Sequence, residues 1–266
     1  MIVEEIMSKE PVCVKDSDFV THARQQMRDH YLRGLPVVDE SNRVIGILTD
    51  QDILNITSTR SNVTVGGYAR ECPTITPDMD IIRSAQLLVE AKQNRVPVVV
   101  STTDKTCVGI LSIMDILNNI HPTKISPKTV GEIMTTNVLT CHPDDSITKI
   151  WLQMIEYDYT GLPVVSHKNE VMGMITRRDV IKSGYARTGS REAHGTNPSE
   201  STTVEKVMST PAYTISQDTP ISKAIEMMLH YDTGRVCVIN GKSLIGIVDR
   251  RDVLRACLIG TGLEVM

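Results

Sequence analysis

Gly34-Leu-Pro-Val-Val-Asp-Glu-Ser-Asn-Arg-Val-Ile-Gly-Ile-Leu-Thr-Asp-Gln-Asp52 holds the pattern that decides the fold. Two β-branched apolar runs, Leu35 to Val38 and Val44 to Leu48, flank the polar turn Asp39 to Arg43, which reads as a hairpin. Thr49 follows the second strand and opens a helix through Ile53 and Leu54, with Asp52 in its first turn. Upstream, Val12 and Val14 alternate as in a short strand, and Val20, Ala23, Met27 and Tyr31 keep helical spacing. One unit therefore reads β-α-β-β-α.

The pattern recurs. Gly34-Leu-Pro-Val-Val is echoed by Arg95-Val-Pro-Val-Val, Gly161-Leu-Pro-Val-Val and Gly234-Arg-Val-Cys-Val. The second block returns as Gly109-Ile-Leu-Ser-Ile-Met-Asp115, Gly173-Met-Ile-Thr-Arg-Arg-Asp179 and Gly246-Ile-Val-Asp-Arg-Arg-Asp252, with the final aspartates 63, 64 and 73 residues apart. Ile6-Met7-Ser8, Ile133-Met134-Thr135 and Val207-Met208-Ser209 open three units, and Tyr68-Ala69-Arg70 stands there in the other. A fixed period makes the repeat the architectural element. The expected fold is α+β, with units at 1–60, 61–121, 126–184 and 200–260. One such unit is too small to bury both faces of its sheet, so units should pair, giving modules at 1–121 and 126–260. Pro122 and Pro127 mark the module boundary, and the polar stretch 183–203 reads as a flexible connection inside the second module.

Composition narrows the function classes. With 28 Lys plus Arg against 32 Asp plus Glu, the net charge of −4 disfavours nucleic acid. Aromatics number only one Trp, seven Tyr and one Phe, leaving few stacking platforms, and the 13 Met help fill the core. No apolar run reaches the roughly 18 residues a membrane span needs, and Met1-Ile-Val-Glu-Glu-Ile lacks signal-peptide character, so a cytoplasmic protein is expected. The six cysteines stand singly and read as reduced core residues. No G-x-S-x-G, P-loop or H-E-x-x-H motif occurs, and His142, after Cys141, has no second ligand at metal spacing. No enzyme and no metal are expected.

The two blocks resemble the motifs of the cystathionine β-synthase (CBS) domain family, a G-h-P-V-V strand and a G-h-h-T-x-x-D turn, with h apolar. The likeness covers nearly the whole chain in four copies. It implies pairs of units forming Bateman modules, each with two ligand clefts about a pseudo-twofold axis. The two modules would form a disc similar in layout to the γ subunit of AMP-activated protein kinase. It further implies a regulatory protein that binds AMP, ADP or ATP, with S-adenosylmethionine as the alternative ligand. The partners it suggests are a kinase-like or metabolic enzyme and a second copy of the chain in a homodimer.

Carried over by motif position, Asp52, Asp115, Asp179 and Asp252 are the ribose ligands, because an ionised carboxylate can accept from both vicinal hydroxyls. Thr49, Ser112 and Thr176 offer hydroxyls beside them at a helix start, where free N–H groups and the dipole favour a phosphate. Arg33, Arg95, Arg178, Arg235 and Arg251 are the phosphate cations, with Arg177 and Arg250 in the same helical turns. The adenine would lie against the Pro-Val strand. The same Thr-x-x-Asp spacing is also a helix capping box, and the two roles are compatible. Asp249 replaces the hydroxyl residue in the fourth copy and puts a phosphorylated ligand there in doubt. Affinities should be unequal, strongest in the first or third cleft. A structural scaffold with vestigial clefts is the competing function.

Overall fold

A computed structural model of the chain describes residues 1–56, 63–120, 129–183 and 202–259. In the first unit, β1 (Ser8–Lys9) and β2 (Val14–Lys15) precede α1 (Val20–Asp29), the hairpin β3 (Gly34–Val38) and β4 (Val44–Thr49), and α2 (Asp50–Asn55). The second unit supplies α3 (Ile81–Glu90), β5 (Arg95–Val99), β6 (Cys107–Ser112) and α4 (Ile113–Asn119). The third has α5 (Ile147–Glu156), β7 (Gly161–Val165), β8 (Val171–Thr176) and α6 (Arg177–Lys182). The fourth has β9 (Thr214–Ser216), α7 (Ile221–His230), β10 (Arg235–Asn240), β11 (Ser243–Asp249) and α8 (Arg250–Ile259). No helix among the described residues is long and apolar enough to cross a membrane.

The four hairpins share one register. Gly34 faces Thr49, Arg95 faces Ser112, Gly161 faces Thr176 and Arg235 faces Asp249, and each ladder slips by one residue at its far end. The fourth repeat therefore begins at Arg235, one residue later than Gly234-Arg-Val-Cys-Val suggests. Arg95 likewise opens its strand. β3 and β7 are buried at every position, since each lies between its hairpin partner and the preceding chain, as in the parallel pairing of Val14 with Val37 and of Cys141 with Val164.

Each of the four helices before a hairpin closes in the same way. Tyr31, Lys92, Asp158 and Asp232 take positive φ of 56°, 54°, 51° and 44°. In three of them the next N–H returns to the helix, Leu32 to Met27, Gln93 to Leu88 and Thr233 to Met228, at 2.8 to 3.1 Å. Tyr31 thus ends α1 and is 93% exposed. Its helical spacing from Met27 is coincidental, because the left-handed turn swings it off the apolar face.

Units pair by exchanging their leading segments. Ser8 of the first unit lies opposite Ile110 on β6 of the second, and Arg70 of the second lies opposite Ile47 on β4 of the first. The second module repeats this with Thr135 against Ile247 and Ser209 against Met174. Gly46 permits the approach, since a Cβ there would sit 2.5 Å from the Arg70 carbonyl oxygen.

The modules then close on one another within a single chain. Leu88, Ile116 and Leu117 of the second unit share a core with Val253, Leu254 and Leu258 of the fourth, and α2 packs on α6. Leu88, Ile116, Leu254 and Leu258 are wholly buried, and each contributes about 1.5–3 kcal/mol relative to exposure. The described residues thus form a ring of four units. Most of the 183–203 connection and part of the 118–128 boundary lie outside them.

The cysteine expectation holds only in part. All six are free thiols, and Cys141, Cys237 and Cys257 are buried. Cys13, Cys72 and Cys107 are only half-buried, and Cys72 lines a cleft of the first module.

Candidate functional site

The four motif aspartates sit at corresponding places, and all of them cap. Thr49 N–H and Oγ1 both donate to Asp52 Oδ2, at 2.9 and 2.5 Å, and Asp52 N–H returns to Thr49 Oγ1 at 3.3 Å. Ser112 with Asp115 and Thr176 with Asp179 repeat this, their hydroxyls donating at 2.7 and 2.5 Å. In the fourth unit Asp249 N–H donates to Asp252 Oδ2 at 2.9 Å, while Asp249 Oδ1 accepts from the Arg251 and Asp252 N–H groups. The sequence left capping and ligand binding open, and the geometry divides them by atom. Oδ2 is spent on the cap and Oδ1 is left over.

The fate of Oδ1 differs between units. Asp52 Oδ1 receives the guanidinium of Arg70 from the exchanged segment. Asp179 Oδ1 lies 3.5 Å from Ser209 Oγ, which occupies the same place in its module. Nothing among the described residues bonds Asp115 Oδ1. Asp252 is affected otherwise: burial, then the adjacent charge of Asp249, pushes its carboxyl up to about 6.

The capped N-termini contribute less to anion binding than the motif suggests. α2 and α6 have six residues and α4 seven, and in α2 and α4 the Asp52 and Asp115 N–H groups are consumed by the caps. Short helices carry little macrodipole, so the charge for a phosphate must come from side chains.

The predicted arginines gather where the units meet, though several are held by protein groups. Arg33 donates to Asp232 Oδ2 at 2.5 Å, joining the first unit to the fourth. Arg178 donates to Asp50 at 2.7 Å, joining the third to the first. Arg251 reaches the Lys92 carbonyl at 3.4 Å and its own neighbour Asp249 at 3.3 Å. Arg235 donates to the Gly161 carbonyl at 3.0 Å and to Thr160 Oγ1, and burial lowers its pKa. Arg177 and Arg250 are structural. The first ties to the Met154 carbonyl and to Asp158 at 3.2 Å, the second to the Thr233 carbonyl and Asp232 at 3.0 Å.

Arg95 is different. No hydrogen bond holds its side chain among the described residues, and it leans across Gly34, where a Cβ would meet its Cδ at 2.6 Å. Burial pulls its pKa below the ordinary guanidinium value, opposed mainly by Asp50 and also by Asp115. The Arg95 cation and Asp115 Oδ1, unbonded among the described residues, therefore share one strand end.

In the first module a cleft of about 190 Å³ runs between Val44 and Ile45 of β4, the segment Glu71 to Thr74, and Pro97 and Val99 of β5. Its apolar wall is the Pro-Val strand on which the adenine was expected. Arg70, the residue before Glu71, pairs with Asp52. Among the described residues no three His, Cys, Asp or Glu side chains group to hold a metal.

Three residues escaped the motif reading. Asp50 stands at a variable position of the repeated block and Asp232 outside it, and only the folded ring brings them to Arg178 and Arg33. Arg70 was visible as the departure from Met-Ser or Met-Thr in the second unit, but nothing in the sequence pointed it at Asp52.

The CBS domain model matches residues 3–58, 65–122, 130–185 and 204–259, and the chain belongs to the CBS domain family. It is 30% identical over 260 residues, 95% of its length, to uncharacterized protein MJ1404 of Methanocaldococcus jannaschii, and spans 61% of that protein. The crystal structure of MJ1225 from the same organism, described as a proposed archaeal homolog of γ-AMPK, matches with a TM-score of 0.80 at 22% identity, covering 96% of this chain and 99% of that one. A conserved protein from Pyrococcus horikoshii matches with a TM-score of 0.68 at 20% identity, over 97% and 100% of the two chains. These likenesses establish the fold: tandem CBS units in two Bateman modules.

Proposed function

We propose that this chain is a regulatory, non-enzymatic protein that binds adenosine nucleotides in the clefts of its modules and passes the occupancy to a partner protein. The observation that carries this is the strand end of the second unit. Asp115 keeps one oxygen after the Ser112 hydroxyl and N–H are spent on its cap, and the Arg95 side chain has no hydrogen-bonding partner among the described residues. An acceptor for a ribose diol beside a half-buried guanidinium suits a nucleotide. This reading places a strong site in the second cleft, where the sequence favoured the first or third.

Regulation follows from position. Arg33 and Arg178 bridge units through Asp232 and Asp50, so a phosphate that recruits either cation competes with a contact between modules. A ligand shifts such an arrangement only by its difference in affinity for the two states. The fourth cleft favours a different ligand, since the paired carboxylates Asp249 and Asp252 suit a cationic group such as the sulfonium of S-adenosylmethionine better than a phosphate.

Calorimetric titration of the chain with AMP, ADP, ATP and S-adenosylmethionine tests the proposal. Micromolar or tighter binding of at least one is expected. Asp115→Ala removes charge-assisted hydrogen bonds of about 1.5–3 kcal/mol each and should weaken one site by tenfold or more. Binding no tighter than millimolar for all four ligands would leave a scaffold.

A further inference from the structure

Position by position, the exchanged segments provide an internal comparison. The residue opposite Ile110, Ile47, Ile247 and Met174 is Ser8, Arg70, Thr135 and Ser209 respectively. Three are small hydroxyl residues. At the third cleft Ser209 leaves Asp179 Oδ1 at 3.5 Å and approachable. At the first cleft the long Arg70 reaches Asp52 and makes an ion pair. The carboxylate is 6% exposed while the Arg70 side chain is half exposed. The pair is therefore anchored on its acidic side and hinged on its basic side.

We infer that Arg70 is a latch and charge filter on the first cleft, admitting adenosine ligands that carry an anionic group and rejecting uncharged ones. This rests on the nucleotide-binding reading above and adds to it a selectivity specific to one cleft. With Arg70 in place neither oxygen of Asp52 is open, because Oδ2 caps Thr49 and Oδ1 holds the guanidinium. A neutral nucleoside must break the ion pair to present its diol, and it leaves Arg70 without a counter-charge. A nucleotide breaks the same pair but offers its phosphate to the released guanidinium, whose fork matches phosphate oxygens as well as carboxylate oxygens. One charge pairing is exchanged for another while Asp52 turns to the ribose. The Arg70 backbone need not move, since its N–H and C=O remain paired with Ile47 at 2.9 Å.

The test isolates the first cleft in the full-length chain by substituting Asp115→Asn, Asp179→Asn and Asp252→Asn. Adenosine and AMP are then titrated calorimetrically against this background, alone and with Arg70→Ser, Arg70→Lys or Asp52→Asn added. The background should prefer AMP over adenosine by at least tenfold. Arg70→Ser should tighten adenosine by tenfold or more and shrink that preference to a few-fold. Arg70→Lys, keeping the charge, should retain most of the preference. If Arg70→Ser leaves both affinities unchanged, or weakens both equally, while Asp52→Asn still abolishes AMP binding, the latch is wrong and nucleotide binding stands. If the unsubstituted chain binds neither ligand at any cleft, both fall.

Discussion

Replacing Asp252 by asparagine should stabilise the chain at neutral pH and leave it unchanged in mild acid. The folded carboxyl titrates at about 6 against an ordinary value of 3.8, because burial and the neighbouring Asp249 both oppose its charge. A raised acid holds its proton more tightly in the folded state. Its favourable contribution is therefore complete below about pH 4 and lost as the pH climbs through 6. A shift of roughly two units corresponds to about 3 kcal/mol at 1.36 kcal/mol per unit, and partial solvent access reduces this to about 1–2 kcal/mol. Asparagine keeps an acceptor for the Asp249 N–H, now at 2.9 Å, so the cap survives while the repulsion goes. Urea unfolding of both proteins at pH 4.0 and pH 7.5 measures the effect. Equal changes in stability at the two pH values, or a loss at pH 7.5, would show that the carboxylate is not destabilised by its surroundings.

Three further outcomes follow from the packing. Gly46→Ala drives a Cβ to 2.5 Å from the Arg70 carbonyl oxygen, should cost about 1–3 kcal/mol by denaturant unfolding, and should loosen the Arg70–Asp52 pair. Leu254→Ala empties a wholly buried position in the core shared by the second and fourth units. A loss of about 2–5 kcal/mol is expected, with fluorescence of Trp151 and far-ultraviolet dichroism still reporting one transition if the modules unfold together. Arg178→Ala removes a partly exposed pair with Asp50, so calorimetric melting should change by less than about 1 kcal/mol.

The local units were legible because their signals are local. β-branched runs, polar turns and Thr-x-x-Asp caps each act within a few residues, and β3, β4 and the start of α2 fall where those signals place them. Reading failed where a contact joins residues far apart in sequence. The exchange that lays Arg70 along Ile47 depends on a shape only two folded units create. The offset of the fourth repeat had a chemical cause: with Cys237 in place of proline the strand lost its marker, and Gly234 attracted the alignment one residue early. Placing Arg177 and Arg250 beside the phosphate cations by helical turn alone overlooked that they bond the Met154 and Thr233 carbonyls.

The traded leading strands of each module also make its two units interdependent. A lone unit would lack the strand that covers its hairpin and would expose the edge where a sister segment belongs. Removing one unit of a module would strip its sister of that cover, so the couple is the smallest part that keeps both hairpins covered. The alternation agrees, with Gly34 and Gly161 opening the odd hairpins and Arg95 and Arg235 the even ones. The repeating element of the chain is therefore the couple, and its two members differ already in the residue that opens the hairpin.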